Sequence, residues 1–268
     1  YFYLLGTEFK SSCCPVTGVM TAIEIQRGRH GMPLLEHWQE LGATAACTLR
    51  LGLMHLKTHQ DHAGIKGDAW FGSVKACLAL YARGIESVFQ VKTNHKLFPK
   101  QFIDDALQGM PGGVHIVLEG LNAYTEEKLY AVGYRYSKKT TLFFVMSPGA
   151  GSTRPGKPYE MKYPTEQGNL GMRFVDRPDV VSRYFGDSNC IDRHNQVRQF
   201  ELHLEKCWVT FDPYFRLHTT LLGINVADCW KLAHYHGLLT QACQFECASE
   251  ESFSIRKFAG VLAYQLLE

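Results

Sequence analysis

The chain has 268 residues, which is one large domain or two small ones at roughly 100–200 residues per domain. Hydrophobic residues make up 46% and charged residues 20%, a globular composition that excludes intrinsic disorder. Lys and Arg number 28 against 26 Asp and Glu, so the formal charge of +2 excludes a global positive field and leaves nucleic-acid contacts to local patches. The nine cysteines are odd in number and irregularly spaced, which fits a reducing compartment better than a disulfide scaffold. No apolar run approaches the roughly 18 residues of a membrane span, and no basic-then-apolar leader is present. The chain opens at Tyr1, not Met, inside a strand-like stretch. The expectation is that the N-terminal part of a longer protein is missing.

In chain order, the pattern predicts a hairpin first. Leu4–Lys10 is one arm, Cys14-Pro15-Val16-Thr17-Gly18 the turn, and Val19–Gln26 the alternating second arm. Leu34, Leu35, Trp38 and Leu41 share a face, predicting a helix over 34–41. Residues 43–53 are apolar with an ambiguous period. A strand approaches Gly67-Asp68, and from Ser73 the period changes. Val74, Cys77, Leu78 and Tyr81 recur at helical spacing up to Gly84. Ile85–Val91 reads as the next strand, so the alternation is α/β. Between 101 and 180 the chain reads as a β-rich insertion, with strands near 114–118, 129–136 and 141–146 and a turn at Ser137-Lys138-Lys139-Thr140. Helices return from Ile191. There Val197, Phe200, Leu204 and Trp208 form an apolar stripe opposite Asp192, Asn195, Gln196, Gln199 and His203. Residues 217–236 are apolar nearly all round, predicting a buried helix, and Ile255, Phe258, Leu262 and Leu266 predict a last amphipathic one.

Asp68, at a strand end, and Asp192, near a helix start, are the most informative pair. Carboxylates so placed can hold Mg²⁺, and paired ions clamp the attacking and leaving oxygens in phosphoryl transfer. The plain alternative is a turn residue and a helix-start residue favoured by the dipole. Lys92, Lys96 and Lys100, with His95, form a basic cluster after a strand, suited to DNA phosphates or to a solvated face. Trp70 and Phe71 suit base stacking or, more commonly, a core. His55, His59 and His62 are spaced for one helix face but lack the glutamate of a zinc-protease motif. His234, His236, Cys243 and Cys247 depart from finger spacings.

Several of these segments together resemble the piggyBac-type transposases and the transposon-derived proteins of that group. Gly67-Asp68-Ala69-Trp70-Phe71-Gly72-Ser73 is similar to the family's block around its second catalytic Asp, which places that residue at Asp68. Val91–Lys96 resembles the basic strand end that follows. Leu129–Met146 resembles the insertion hairpin, and Ile191–Gln199 resembles the block with the third catalytic Asp, at Asp192. Trp208-Val209-Thr210 and Tyr214-Phe215-Arg216 extend the match. Two departures stand out. Nothing occupies the place of the first catalytic Asp, because the chain starts too late. Asn195 stands where many relatives carry another acidic residue, and an amide binds a divalent cation more weakly.

The resemblance implies an RNase H-like α/β fold over 1–268, with a mixed sheet, flanking helices and the 101–180 insertion. It implies a DNA transposase catalytic core, truncated or degenerate. Mg²⁺ or Mn²⁺ would be held by Asp68, Asp192 and Asn195, and Lys92, Lys96 and Lys100 would face DNA. Strands would be nicked at transposon ends and transferred to TTAA targets. The partners would be double-stranded DNA and, as an open option, a second copy; no membrane is involved, and the location would be nuclear. The alternative of a different class is a catalytically dead, transposon-derived DNA-binding protein. A weaker third reading is a zinc-stabilised interaction module built on Cys243 and Cys247.

Overall fold

The computed structural model describes residues 8–58, 64–92, 95–123, 125–165, 169–208, 210–239 and 254–267. The chain divides into two compact units, Arg27–Ser188 and Tyr1–Gln26 with Asn189–Glu268.

The larger unit is built on a mixed five-stranded sheet. Its strands are β3 (Gly64–Gly67), β4 (Glu86–Gln90), β5 (His115–Leu121), β6 (Lys128–Ser137) and β7 (Thr140–Met146), in the order β3-β4-β7-β6-β5. β3 runs parallel to β4, and every other pairing is antiparallel. Strands at the middle of a sheet covered on both faces must be apolar at successive positions. β4 and β7 are so. Phe89, Val91, Phe143 and Val145 point to one face, where they meet Leu49, Leu80, Ile103 and Leu107. Val88, Phe144 and Met146 point to the other, where they meet Val132, Tyr134, Val180, Val181 and Tyr184. Fully burying a residue such as Phe89 or Phe144 stabilises by about 1.5–3 kcal/mol. An exposed ion pair such as Lys128–Glu119 at 3.0 Å adds little, because solvent screens it. Packing therefore decides this architecture.

Helices α3 (Ala43–Thr58), α4 (Val74–Tyr81) and α5 (Lys100–Leu107) supply the first set of partners, and α6 (Asp179–Asp187) supplies the second. Residues 43–53, of ambiguous period, are the start of α3. The helix expected over 34–41 is broken. α1 (Gly28–Gly31) runs into a 3₁₀ turn at Met32–Leu34, and α2 covers only Trp38–Leu41 because His37 takes a left-handed backbone at φ 65°. Leu34 is left exposed.

The expected β-rich insertion at 101–180 is only partly separate. β5, β6 and β7 belong to the central sheet itself. β4 is buried on both faces with polar backbone on both edges, and β7 satisfies the edge that β3 does not. Only β8 (Tyr159–Pro164) and β9 (Leu170–Val175) form a sheet of their own, an antiparallel hairpin.

The smaller unit holds a hairpin of β1 (Phe9–Cys13) and β2 (Met20–Ile25), with helices; the second arm lies within the expected Val19–Gln26, while the first runs on to Cys13 beyond the expected Leu4–Lys10, whose residues 4–7 lie outside the described residues. α7 (Cys190–Gln196) continues into a π-helical stretch, Val197–Leu202. This ends at left-handed His203, and α8 (Leu204–Cys207) follows. α9 covers Pro213–Tyr235 and α10 covers Ile255–Leu267. The wider π turn shifts the phase of every later side chain. The expected stripe holds only in part: Val197 is buried and Leu204 packs against it, but Phe200 and Trp208 are exposed, while His194, Arg198 and Leu202 point inward. α9 is not buried all round either. Gly223, Ile224, Val226 and Ala227 face the core, whereas Leu232 and Tyr235 are exposed. In α10, Ile255, Phe258 and Leu262 pack as expected, and Leu266 is exposed.

The close approach of Gly72 to the β4 backbone is a sharp test of the larger unit. A Cβ there would overlap the Gln90 carbonyl oxygen. Gly72→Ala is expected to lower the melting temperature by several degrees, in line with about 1–3 kcal/mol of overpacking. Gly186→Ala, in helix α6 with no atom within 4 Å of the added carbon, is expected to be neutral or to stabilise by up to about 1 kcal/mol. Paired thermal melts of the two variants check both.

Candidate functional site

Asp68 follows β3 directly, where the strand turns towards α4. Its own carboxylate shapes that turn, since Oδ1 accepts a hydrogen bond from the Trp70 backbone N–H at 2.8 Å. Its carbonyl accepts from the N–H groups of Phe71 and Gly72. Ser73 then caps α4, its Oγ accepting from Ala76 N–H at 3.0 Å. The Gly67–Ser73 block is thus a strand end, an Asx turn and a helix cap in succession. The side chain of Asp68 remains exposed. Phe71 packs against the first core layer and makes an edge-to-face contact with Trp70 at 4.8 Å. This favours the core reading for Phe71.

The surroundings of Asp68 in the larger unit are polar and ordered. Lys66 pairs with Asp187 at the end of α6. Tyr184 of α6 donates to Gln90 Oε1 at 3.3 Å. Burial, and then the negative charge of Asp68, push the Tyr184 phenol up to about 12. Lys66, Gln90, Tyr184 and Asp187 went unnoticed in the sequence because they come from three elements distant along the chain.

Lys92 and Lys96 are exposed after β4. Lys100 is half-buried. It pairs with Asp104 at 3.2 Å and lies 5.7 Å from the centre of the Phe143 ring, so part of its charge is spent within the fold. His95 is half-buried, and burial lowers its pKa below the usual 6.5. At neutral pH the imidazole is therefore uncharged, and the positive charge here comes from the lysines.

In the smaller unit, Asp192 sits exposed in the first turn of α7. Its neighbours one and two turns on are polar but inward. The amide oxygen of Asn195 accepts from Arg198 Nη2 at 3.1 Å, and Arg198 also pairs with Glu205. His194 is fully buried and meets Asp228 Oδ1 at 3.0 Å, and the same oxygen accepts from Met20 N–H at 2.9 Å. α7 is therefore tied to α9 and β2 through one carboxylate. Further along, Phe211, Tyr214, Phe215 and Trp208 are exposed beside Lys206, Arg216 and His218. Lys206 lies 4.4 Å over the Phe200 ring, and Trp208 is 6.0 Å from Phe215. This aromatic–basic group was legible only as an apolar stripe in the sequence.

Among the described residues, no group of three or more His, Cys, Asp and Glu side chains is placed to hold a metal ion. The donor chemistry of Asp68 and Asp192 suits a hard divalent cation: both are exposed carboxylates, and Asp68 spends one oxygen on a single backbone N–H. Asn195 suits it less, since its oxygen is already accepting from Arg198. His59, His62, Cys243 and Cys247 lie outside the described residues, so the two zinc readings are not addressed there. His234 stacks on Trp230 at 5.7 Å.

The sequence matches no protein-family model and no curated protein. Its structure is similar to a piggyBac transposase solved by cryo-electron microscopy as a synaptic complex with hairpin DNA. The TM-score is 0.60 at 15% identity, over 94% of this chain and 44% of that one. The chain thus spans less than half of that protein's length and has a piggyBac-like fold: mixed α/β, a five-stranded mixed sheet and flanking helices. No helix among the described residues is long and apolar enough to cross a membrane.

The phenol of Tyr184 reports on Asp68. Its raised pKa means that the folded state keeps a proton that the unfolded chain sheds near pH 10. The associated stability is complete below about pH 10 and lost as pH rises through about 12. Burial also raises Tyr134, and Tyr159 with burial raises Tyr136, so spectrophotometric titration is expected to show several late-ionising tyrosines, one fewer in Tyr184→Phe and one shifted to lower pH in Asp68→Ala.

Proposed function

We propose that the chain is the catalytic-core portion of a piggyBac-type DNA transposase, acting on double-stranded DNA with Mg²⁺ or Mn²⁺. One observation carries this reading: a fold match over 94% of the chain coincides with an exposed Asp at the end of β3 and another in the first turn of α7. In this reading Asp68 and Asp192 are metal-holding carboxylates. When bound, the ion lowers the pKa of the attacking water or 3′-hydroxyl and offsets the phosphate charge. Lys92 and Lys96 contact backbone phosphates, which position DNA without reading its sequence. Lys100, held by Asp104, contributes less. The exposed rings of Phe211, Tyr214 and Trp208 offer stacking surfaces for unpaired bases beside the cations of Lys206 and Arg216.

Asn195 favours a second reading. An amide, already bonded to Arg198, stands where many relatives have a carboxylate. The chain would then be a transposon-derived DNA-binding protein without chemistry.

Two measurements separate these readings. In gel-shift titrations over a salt series, Lys92→Gln and Lys96→Gln are each expected to weaken DNA binding and to lower the salt slope by about 1. The absence of DNA binding by wild type at low salt would sink both readings. In thermal-shift titrations with Mn²⁺, wild type is expected to rise in melting temperature, while Asp68→Ala and Asp192→Ala stay flat. DNA binding with no metal shift in wild type selects the binding protein.

A further inference from the structure

We propose that Cys13 and Cys190 form a reversible disulfide that locks the β1–β2 hairpin onto the first turn of α7. The two residues are 177 positions apart in sequence, the last residue of β1 and the first of α7, and the smaller unit brings their side chains together. The Cys190 thiol donates to the Cys14 carbonyl oxygen at 3.3 Å. The Cys13 sulfur lies 3.7 Å from that same oxygen, and the neighbouring Cys190 thiol together with burial pushes the Cys13 pKa up. Two thiols gathered on one shared acceptor are the starting arrangement for a disulfide, in which the sulfurs close to about 2.05 Å. Cys77 bonds to Ser87 at 3.1 Å, and Cys207 and Cys229 are exposed on different helices.

Access and backbone geometry fit the same step. Cys190 is buried, but Cys13 is half-buried, so a small oxidant reaches the pair through Cys13. The hairpin carries a register irregularity beside Cys13, which pairs with Met20 while Thr21 of β2 is the extra residue. The oxidant is a low-molecular-weight disulfide such as oxidised glutathione. One protein thiolate attacks it and releases one reduced glutathione. The second protein sulfur then attacks the mixed disulfide, releases the other reduced glutathione and gives its proton to solvent. Two protein thiols are oxidised and one small disulfide is reduced. The bond would tie β1 covalently to the turn that carries Asp192, two residues beyond Cys190. This inference does not depend on DNA binding or on a metal.

The test uses the whole chain, incubated with oxidised glutathione, trapped with an alkylating reagent, digested and mapped by mass spectrometry. The expected product is a Cys13–Cys190 cross-linked peptide, with fragmentation placing the link on Cys13 rather than Cys14, and dithiothreitol reverses it. Because the bond closes a long loop in the unfolded chain, the oxidised protein is expected to melt several degrees higher than the reduced one. Both effects are expected to vanish in Cys190→Ser and in Cys13→Ser, the latter at a half-buried position that keeps the test valid if the buried substitution does not fold. Recovery of Cys13 and Cys190 as thiols or as separate glutathione adducts, while Cys207 and Cys229 react, would overturn the proposal. A link from Cys14 instead of Cys13 would overturn it equally.

Discussion

The antiparallel pairing of β4 with β7 is the constraint on which the larger unit depends. Val88-Phe89-Gln90 and Phe144-Val145-Met146 lie side by side, and their side chains go alternately to two separate cores. Each core requires its own covering helices: α3, α4 and α5 on one face, α6 on the other. Once these are seated, β3 adds in parallel to the free edge of β4. Asp68 is then delivered to a strand end, with Gly72 pressed against the β4 backbone and Ser73 opening α4. The position of the exposed carboxylate is a consequence of packing elsewhere. The same is true of Tyr184, which feels the charge of Asp68, and of Asp187, which pairs with Lys66, since both are brought there by α6 covering the second core.

The smaller unit solves a different problem. α7 is short and polar, and burying one side of it brings His194 and Arg198 out of water. Both are partly compensated, His194 by Asp228, and Arg198 by Glu205 and Asn195, while His194 Nδ1 and Arg198 Nε have no hydrogen-bond partner among the described residues. The π-helical turn at Val197–Leu202 turns Arg198 towards these partners and leaves Phe200 outside. Its cost in backbone geometry is offset by polar groups that would otherwise be buried without partners. A π turn so placed, just after Asp192, is the kind of irregularity that accompanies functional positions. Both Asn195, whose oxygen is occupied within the fold, and Asp192, whose carboxylate meets solvent, lie before it on α7.

The fold similarity and the residues bear on different questions. A TM-score of 0.60 at 15% identity speaks for the path of the chain, not for chemistry. The chemistry rests on individual groups: two exposed carboxylates, two exposed lysines after β4, and an aromatic–basic surface around the start of α9. Lys100 shows why spacing alone misleads, since it belongs to the same basic run but is paired with Asp104.

By itself the sequence determined the local elements whose signals are short-range. These include the hairpin turn at Cys14–Gly18, the Ser73 cap with the period change behind it, the strands 114–118, 129–136 and 141–146, and Asp68 and Asp192 at a strand end and a helix start. Alternation and capping act over a few residues, so they can be read along the chain. Tertiary structure alone decided the rest. The strands β5–β7 joined the central sheet, where composition suggested an insertion, because strand neighbours are chosen by edge satisfaction between distant segments. The expected stripe lost Phe200 and Trp208 because a π turn, which has no periodic signature, reset the helix phase. The hydrogen-bond partners of Lys66, Tyr184 and His194 lie 121, 94 and 34 positions away. Only packing brings such groups within hydrogen-bonding distance, and no one-dimensional pattern records it.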